Sequence, residues 1–220
     1  MAVILCIDTS GAQASVCLAR DGAVTASVSG DSRKDHAAAT VPFIRQLLED
    51  SGLGPEQLSA VAVSAGPGSY TGLRVGVATA KGLCYTWGIP LIPINTLKMM
   101  AQGVRPPEPE GLLCPMIDAR RQEVYTALYD SDLQEVLPPE ALVLDKTAFA
   151  GELSTRQIYF FGSGAAKWQA ISSSPRACFL PYTPDAGHLA PLAEIAFHEG
   201  QSADPAYFEP FYLKPFYTPV

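Results

Sequence analysis

The chain has 220 residues, 48% of them hydrophobic and 17% charged, and its formal net charge is −7. This composition is typical of a globular protein with a substantial core, and it excludes a disordered chain. The apolar runs are shorter than the roughly 18 residues of a membrane span, and the acidic charge argues against nucleic-acid binding by the chain alone.

The cysteines and the first residues indicate the compartment. The five cysteines are far apart and include no CxxC pair, so we expect buried free thiols and neither a disulfide framework nor a zinc site. The chain starts on a strand pattern without a basic leader or a cleavage site. We therefore expect a cytoplasmic protein.

The first half of the chain predicts strands and helices in alternation. Asp21-Gly22 between two apolar runs predicts a tight hairpin, and Pro42 predicts a bend inside the first helix. Strands are predicted at residues 2–8, 14–20, 23–29, 58–65 and 89–94. Helices are predicted from a cap at Asp35 to Gly52 and over residues 72–87 and 96–102.

The second half begins at a proline-rich stretch, residues 105–111, which cannot continue a helix or a strand. We place a lobe boundary there, with residues 1–104 in a first lobe and 105–220 in a smaller second one. Strands are predicted at residues 112–118, 123–129, 142–144 and 158–161, and helices opening at Gly162-Ser163-Gly164-Ala165 and over 190–198, the last of which can pack back on the first lobe. Six aromatic residues alternate with prolines after Pro205, and we expect them to cover the protein's own surface or dock on a partner.

Two loops are candidates for holding a phosphate or a cation. The glycine-rich loop 66–76 follows a strand and opens into a helix, which presents backbone N–H groups, although it matches neither the Walker A nor the GxGxxG pattern. The loop after the first strand sets a carboxylate beside hydroxyls, which suits Mg²⁺. The alternatives are a tight turn that seats the helix and polar side chains bonded to their own backbone. The candidate ligand-binding residues are Asp8, Ser10, Gly66, Gly68, Ser69 and Thr71.

Histidine is scarce, and its spacing does not predict a metal site. His36, His188 and His198 form no metal pair, and Thr40 stands where an HxxxH motif needs its second histidine. No GxSxG nucleophile elbow is present either. We therefore assign no metal ligand and no catalytic residue.

Two further patterns leave alternatives open. Gly72, Gly76 and Ala80 lie on successive turns of the second helix, which predicts the close approach of another helix, from this chain or from a partner. The charged cluster 118–125 is either a solvated hairpin turn or a site that brings Arg120 or Arg121 to a cleft between the lobes.

With these residues laid out, the chain resembles the TsaB (YeaZ) family, bacterial components of the machinery that makes N6-threonylcarbamoyladenosine in tRNA. The most specific match is the block 66–76 with Ala80-Lys81-Gly82-Leu83 after it. Weaker matches at residues 7–10, 89–90 and 117–125 follow the same order along the chain. Tyr212-Leu213-Lys214 is similar to the family's Tyr-Leu-Arg, with lysine in place of arginine.

The resemblance implies a fold and a set of partners. The fold is the α/β, two-lobed ASKHA architecture of actin, Hsp70 and hexokinase, with mixed sheets flanked by helices. Family members form homodimers, pair with the catalytic subunit TsaD and work with the small ATPase TsaE, so that tRNA is reached only through the complex. Because TsaD carries the metal-binding HxxxH, the resemblance implies a non-catalytic dimerisation or scaffold subunit. The resemblance implies that this subunit requires no cofactor. The alternative is weak binding of an adenine nucleotide, at a vestigial site or at a site formed in the complex.

The resemblance also implies one interface, on the first two helices, that the homodimer and the TsaD heterodimer share. The expected interface residues are His36, Ala37, Val41, Ile44, Leu48, Gly72, Arg74, Gly76 and Ala80. Two other functions compete with this one. An ASKHA kinase or ATPase would use Asp8 for Mg²⁺ and the glycine loop for phosphate, and a peptidase would need the histidine pair that is missing.

Overall fold

A computed structural model gives the architecture of the chain. It describes residues 1–30, 36–108 and 110–214, except for the side chains of residues 36–38. The chain divides into two compact units, one of Met1–Met99 with Pro184–Phe211 and the other of Met100–Thr183 with the chain from Tyr212. Among the described residues, every helix is too short or too polar to span a bilayer.

The first unit is built on a five-stranded mixed sheet. Its strands are β1 (Val3–Asp8), β2 (Ala14–Arg20), β3 (Ala23–Gly30), β4 (Ala60–Ser64) and β5 (Leu91–Ile94), in the spatial order β3-β2-β1-β4-β5. Strand β1 pairs antiparallel with β2 and parallel with β4. The β2–β3 turn is Asp21-Gly22 with φ of 49° and 75°, the left-handed pair that the hairpin prediction required.

Helices cover both faces of this sheet because β1 and β4 are buried along their whole length. On one face, Val3, Leu5 and Ile7 pack with the buried residues of α1 (His36–Ser51) and α2 (Tyr70–Trp87). The alternate residues of β1 point to the other face, which α6 (Ala190–His198) covers. The short helix α3 (Thr96–Gln102) follows β5, and 3-10 turns lie at Pro55–Gln57 and Ala186–Leu189.

The lobe boundary predicted from the proline-rich stretch needs correction. The first unit ends at Met99 rather than residue 104, and it also contains Pro184–Phe211, which the predicted bounds gave to a second lobe of residues 105–220. The expectation that helix 190–198 can pack back on the first lobe is confirmed. The physical reason is the second face of the sheet, which would be left in water without α6 against β1 and β5.

The second unit repeats the strand order of the first. Its strands are β6 (Leu112–Asp118), β7 (Glu123–Tyr129), β8 (Glu135–Val143), β9 (Ile158–Phe161) and β10 (Ala177–Phe179), in the spatial order β10-β9-β6-β7-β8. Strand β7 pairs antiparallel with both β8 and β6, and β9 pairs parallel with both β6 and β10. The first sheet has the same pattern of two antiparallel and two parallel pairs. Two mixed sheets of this shared topology, each flanked by helices, form the ASKHA architecture that the sequence predicted.

Three elements of the second unit escaped the sequence prediction. Strand β8 is nine residues long instead of three, and it tolerates Pro138-Pro139 because it lies at the edge of the sheet. Helix α4 (Ala150–Leu153) and strand β10 are too short to show a period. With α5 (Ala165–Gln169), they enclose a core in which Phe149 contacts Trp168 and Phe160 edge to face.

Candidate functional site

The carboxylate of Asp8 lies at the end of β1 and is fully buried. Its Oδ1 accepts three hydrogen bonds, from the Ser10 amide at 2.9 Å, the Ser10 hydroxyl at 2.7 Å and the Ser64 hydroxyl at 2.6 Å. Its Oδ2 has no hydrogen-bond partner within the described part of the chain. Asp8 and Ser10 therefore do come together as predicted, with Ser64 of β4 as a third member that the sequence analysis missed.

The glycine loop packs directly against the loop after β1. The Ser69 amide donates to the Ser10 carbonyl at 2.8 Å, and a Cβ added to Gly68 would lie 2.7 Å from that same oxygen. The Gly66 amide donates to Thr96 Oγ1 at 3.1 Å, and the Gly72 amide donates to Ser69 Oγ at 3.3 Å, which caps α2. Three of the amides that a bound phosphate would use are thus already hydrogen-bonded within the chain.

The tail of the chain covers the other side of this loop. The Phe211 amide donates to the Ala65 carbonyl at 2.7 Å, and the Phe211 carbonyl occupies the space that a side chain at Gly66 would need. Earlier in the tail, Lys81 of α2 donates to the Phe208 carbonyl at 2.7 Å. The loop is therefore held between Ser10 and the tail.

The small residues of α2 face the interior of the first unit, which corrects the interface prediction. Thr9 Oγ1 donates to the Gly72 carbonyl at 2.7 Å, and a Cβ on Gly72 or Gly76 would overlap Thr9. Ala80 is fully buried in the core. Gly72 and Gly76 are small because the β1–β2 loop approaches the helix closely, and none of the three residues offers surface to a partner.

The α1 side of the predicted interface is partly exposed. Val41 is 54% exposed, Leu48 is half-buried and Ile44 is buried in the core. His36 and Ala37 belong to α1, but their side chains lie outside the described residues. Arg74 of α2 is exposed. Of the nine predicted interface residues, Val41, Leu48 and Arg74 are thus placed where a partner could touch them.

An open groove runs between α1 and α2. Its volume is about 500 Å³, and its apolar lining includes Val41, Ile44, Leu48, Leu53, Leu83 and Trp87. We call it the α1–α2 groove. Arg45 and Glu49 place one charge of each sign at its wall. A groove with an apolar floor and a few charges suits an amphipathic helix.

Beside the groove, α2 presents an outward strip of residues 74, 78, 82 and 85. Arg74 lies over the Tyr70 ring, with its Cζ 5.4 Å from the ring centroid, and donates to the Tyr70 hydroxyl at 3.0 Å. Gly82 has no atom within 4 Å of an added Cβ, and Tyr85 is 85% exposed. No neighbour among the described residues explains the glycine at 82.

One histidine, His188, lies close enough to Asp8 to feel its charge, which the sequence analysis did not predict. His188 belongs to the 3-10 turn Ala186–Leu189, whose first amide donates to Ser15 Oγ at 2.8 Å. Burial lowers the pKa of His188, and the negative charges of Asp185 and Asp8 partly oppose this. No group of three or more His, Cys, Asp and Glu side chains among the described residues is arranged to hold a metal ion.

Comparison with known proteins identifies the family. A family model described as TsaD, tRNA N6-adenosine threonylcarbamoyltransferase, matches residues 28–178. The tRNA threonylcarbamoyladenosine biosynthesis protein TsaB of Bacillus subtilis is 32% identical over an alignment of 216 positions, which covers 96% of this chain and 93% of that protein. The chain belongs to the TsaB family. The TsaB protein of Escherichia coli is 31% identical over an alignment of 223 positions, which covers 96% of this chain and 94% of that protein.

A solved structure agrees with the TsaB-family assignment at the level of the fold. YeaZ from Pseudomonas aeruginosa superposes with a TM-score of 0.81 at 24% identity, and the match covers 97% of this chain and 100% of that one. The fold class predicted from the sequence is therefore confirmed.

In this TsaB-family chain the glycine loop is the place where a nucleotide phosphate would bind. A Cβ added to Gly68 would overlap Ser10, and a Cβ added to Gly66 would overlap the Phe211 carbonyl. Asp8 Oδ2 is the single acceptor of this cluster left without a hydrogen bond among the described residues, but it is enclosed by protein. In this conformation the Gly66, Ser69 and Gly72 amides are therefore not available to a phosphate group.

Proposed function

We propose that this chain is the non-catalytic scaffold subunit of a complex that makes N6-threonylcarbamoyladenosine in tRNA. The relatives from Bacillus subtilis and Escherichia coli are named for that pathway, and each matches along 96% of this chain. The threonylcarbamoyltransferase family model also matches residues 28–178, so this chain and the catalytic subunit TsaD are related. Related chains offer similar helices to each other, which favours pairing through equivalent faces.

The observation that carries the proposal is the α1–α2 groove. Val41 is more than half exposed at its edge, and Trp87 and Leu83 line its wall. Exposed apolar surface of this kind marks a protein interface. TsaD occupies the groove in the working complex, and a second copy of this chain occupies it when TsaD is absent. The homodimer and the heterodimer therefore compete for one surface.

The closed glycine loop supports a role without chemistry of its own. Ser10 packs against Gly68 and Phe211 packs against Gly66, and the Gly66, Ser69 and Gly72 amides are hydrogen-bonded within the chain. The chain accordingly needs no cofactor, and TsaD, with the ATPase TsaE, supplies the catalytic steps. The tRNA substrate is bound by the complex rather than by this chain alone.

A substitution that places a charge in the α1–α2 groove tests whether this groove binds TsaD. Val41→Glu puts a carboxylate where the partner helix would bury it, and we expect TsaD affinity to fall at least about 30-fold, as for the loss of about 2 kcal/mol at an interface hot spot. The measurement is size-exclusion chromatography with light scattering on the chain alone and mixed with TsaD from the same organism.

The matched control is Ile195→Glu. Ile195 is 56% exposed, close to the 54% of Val41, but it lies on α6 at the opposite face of the sheet. This variant should pair normally. Equal pairing of both variants with TsaD would rule out the groove as the interface, and turnover of ATP by the isolated chain would contradict the non-catalytic role.

A further inference from the structure

The tip of the β6–β7 hairpin carries two arginines on an unfavourable backbone. Arg120 and Arg121 have φ of 68° and 50°, in the left-handed region that suits glycine or asparagine. The β2–β3 hairpin of the same chain places Asp21-Gly22 at φ of 49° and 75°, which is the favoured chemistry for such a turn. Strained residues of this kind point to a function at the position they occupy.

Two acids flank the arginines, and each of these acids forms a salt bridge with a lysine. Asp118 pairs with Lys167, whose Nζ lies 2.6 Å from Asp118 Oδ1, and Glu123 pairs with Lys214. In the described part of the chain, Arg120 and Arg121 form no salt bridge, and both are exposed. The charge of Arg120 also lowers the pKa of Asp118, but the salt bridges of both acids are made with lysines.

The hairpin tip is therefore positive on an acidic protein. Its four cationic and two anionic side chains leave a local net charge of +2, against −7 for the whole chain. Partial burial raises the pKa of Asp118, but hydrogen bonds from Lys167 and the Arg120 amide outweigh it and hold the pKa below its ordinary value. Asp118 thus stays ionised at neutral pH and retains its salt bridge with Lys167.

The structure also holds the tip in place. The Asp118 amide donates to Ser163 Oγ at 3.1 Å, and the Gly164 amide donates to the Met116 carbonyl at 3.0 Å. A Cβ on Gly164 would lie 2.7 Å from Val124 Cγ1, so the loop after β9 is packed tightly against the hairpin. A fixed hairpin backbone reduces the conformational freedom that the tip loses when it binds a ligand.

We propose that Arg120 and Arg121 bind phosphate groups of an RNA backbone. The planar guanidinium group matches phosphate oxygens in a bidentate geometry. An acidic protein surface is the other class of partner, but the exposed side chains of the tip, Arg120, Arg121 and Gln122, are all polar. A protein interface needs an apolar core, whereas phosphate contacts do not. The inference rests on the proposed function, which makes tRNA the substrate of the complex.

The experiment measures binding of an ANN-decoding tRNA transcript by the complex of this chain with TsaD, over a range of salt concentrations. For the double variant R120Q/R121Q we expect affinity to fall about tenfold. The slope of log K against log salt should become shallower by about 1.4, since each single-strand phosphate contact contributes about 0.7. R120K/R121K keeps the charge and should retain the slope.

A second double variant separates binding from folding. R120N/R121G supplies the residues that the left-handed turn favours, so its melting temperature should rise by about 2–4 °C while RNA affinity falls as in R120Q/R121Q. The charge control is R105Q/R156Q, which removes two exposed arginines elsewhere in the second unit. It should leave RNA affinity close to that of the wild type.

Three results would overturn the inference. One is an unchanged affinity and slope for R120Q/R121Q, and another is an equal loss for R105Q/R156Q. The third is weaker binding of TsaD or TsaE with RNA affinity intact, which would assign the arginines to an acidic protein. Pairing of the wild-type chain with TsaD is measured before RNA is added, so failure of the proposed function appears at that step and is distinct from failure here.

Discussion

Gly76 and Gly82 lie six residues apart on α2 and meet opposite surroundings. A Cβ at Gly76 would overlap Thr9, whereas a Cβ at Gly82 would have no atom within 4 Å. The first glycine permits the close packing of the β1–β2 loop on the helix. The second is exposed on the strip beside the α1–α2 groove, where the isolated chain gains nothing from it.

Alanine at the two positions should change stability in opposite directions. We expect Gly76→Ala to destabilise the chain by about 1–3 kcal/mol, because Thr9 cannot yield without moving the end of β1. Gly82→Ala should stabilise it by about 0.5–1 kcal/mol, because alanine is the better helix former. Chemical denaturation of the isolated variants measures both. A Gly76→Ala variant as stable as the wild type would show that the Thr9 contact is loose.

At the scale of elements, the tail after α6 acts as a strap on the first unit. The Ala203 amide donates to the Leu91 carbonyl at 2.9 Å, Phe208 packs against the core, and Lys81 donates to the Ala206 and Phe208 carbonyls. Tyr207, between those two carbonyls, is 84% exposed. The strap is thus fixed by its backbone and by one lysine, with an aromatic side chain left in water.

Removing that lysine should loosen the strap without unfolding the protein. In Lys81→Met the apolar stem stays and both hydrogen bonds are lost, so we expect chymotrypsin to cut at Tyr207 or Phe208 roughly tenfold faster. Lys146→Met, at an exposed lysine of the second unit, is the control. Cleavage at the wild-type rate in Lys81→Met would mean that other contacts hold the tail.

The same elements show what sequence patterns can and cannot predict. Most strands and the helices α1 and α2 were predictable because their periods are local, and the Asp21-Gly22 turn was fixed by its residue types. The partner of Gly72 and Gly76 was not, because Thr9 lies 63 residues from Gly72 in the chain. The aromatic residues of the tail were expected to cover the protein's own surface or to dock on a partner. Phe208 packs against the core of the first unit. Phe216 and Tyr217 lie outside the described residues.

At the scale of the whole molecule, the chain leaves the first unit at Met99 and returns at Pro184. Strand patterns indicated an α/β protein. The packing of helix 190–198 on the first lobe was named as one option, since no local pattern shows which face of the sheet is left uncovered. Ala190, Leu192, Ala193 and Ala196 are buried there. The main segment of the second unit, Met100–Thr183, is an insertion between the two segments of the first unit.

Truncation tests this dependence. A chain that stops at residue 183 lacks α6, so one face of the first sheet is exposed, and we expect strong binding of the dye ANS and loss of cooperative melting. A chain that stops at residue 214 keeps α6 and the strap and should behave like the full chain. Cooperative melting of the 183-residue chain at the full-length temperature would refute the role given to α6.

The insertion has a consequence for synthesis on the ribosome. The five strands of the first sheet are complete once residue 94 has emerged, but the helix that covers their second face ends at residue 198. At about 5–20 residues per second, roughly 5–20 seconds pass between the two. During that interval the nascent chain exposes a hydrophobic sheet face to solvent, so a chaperone that shields nascent chains has its longest time to bind there.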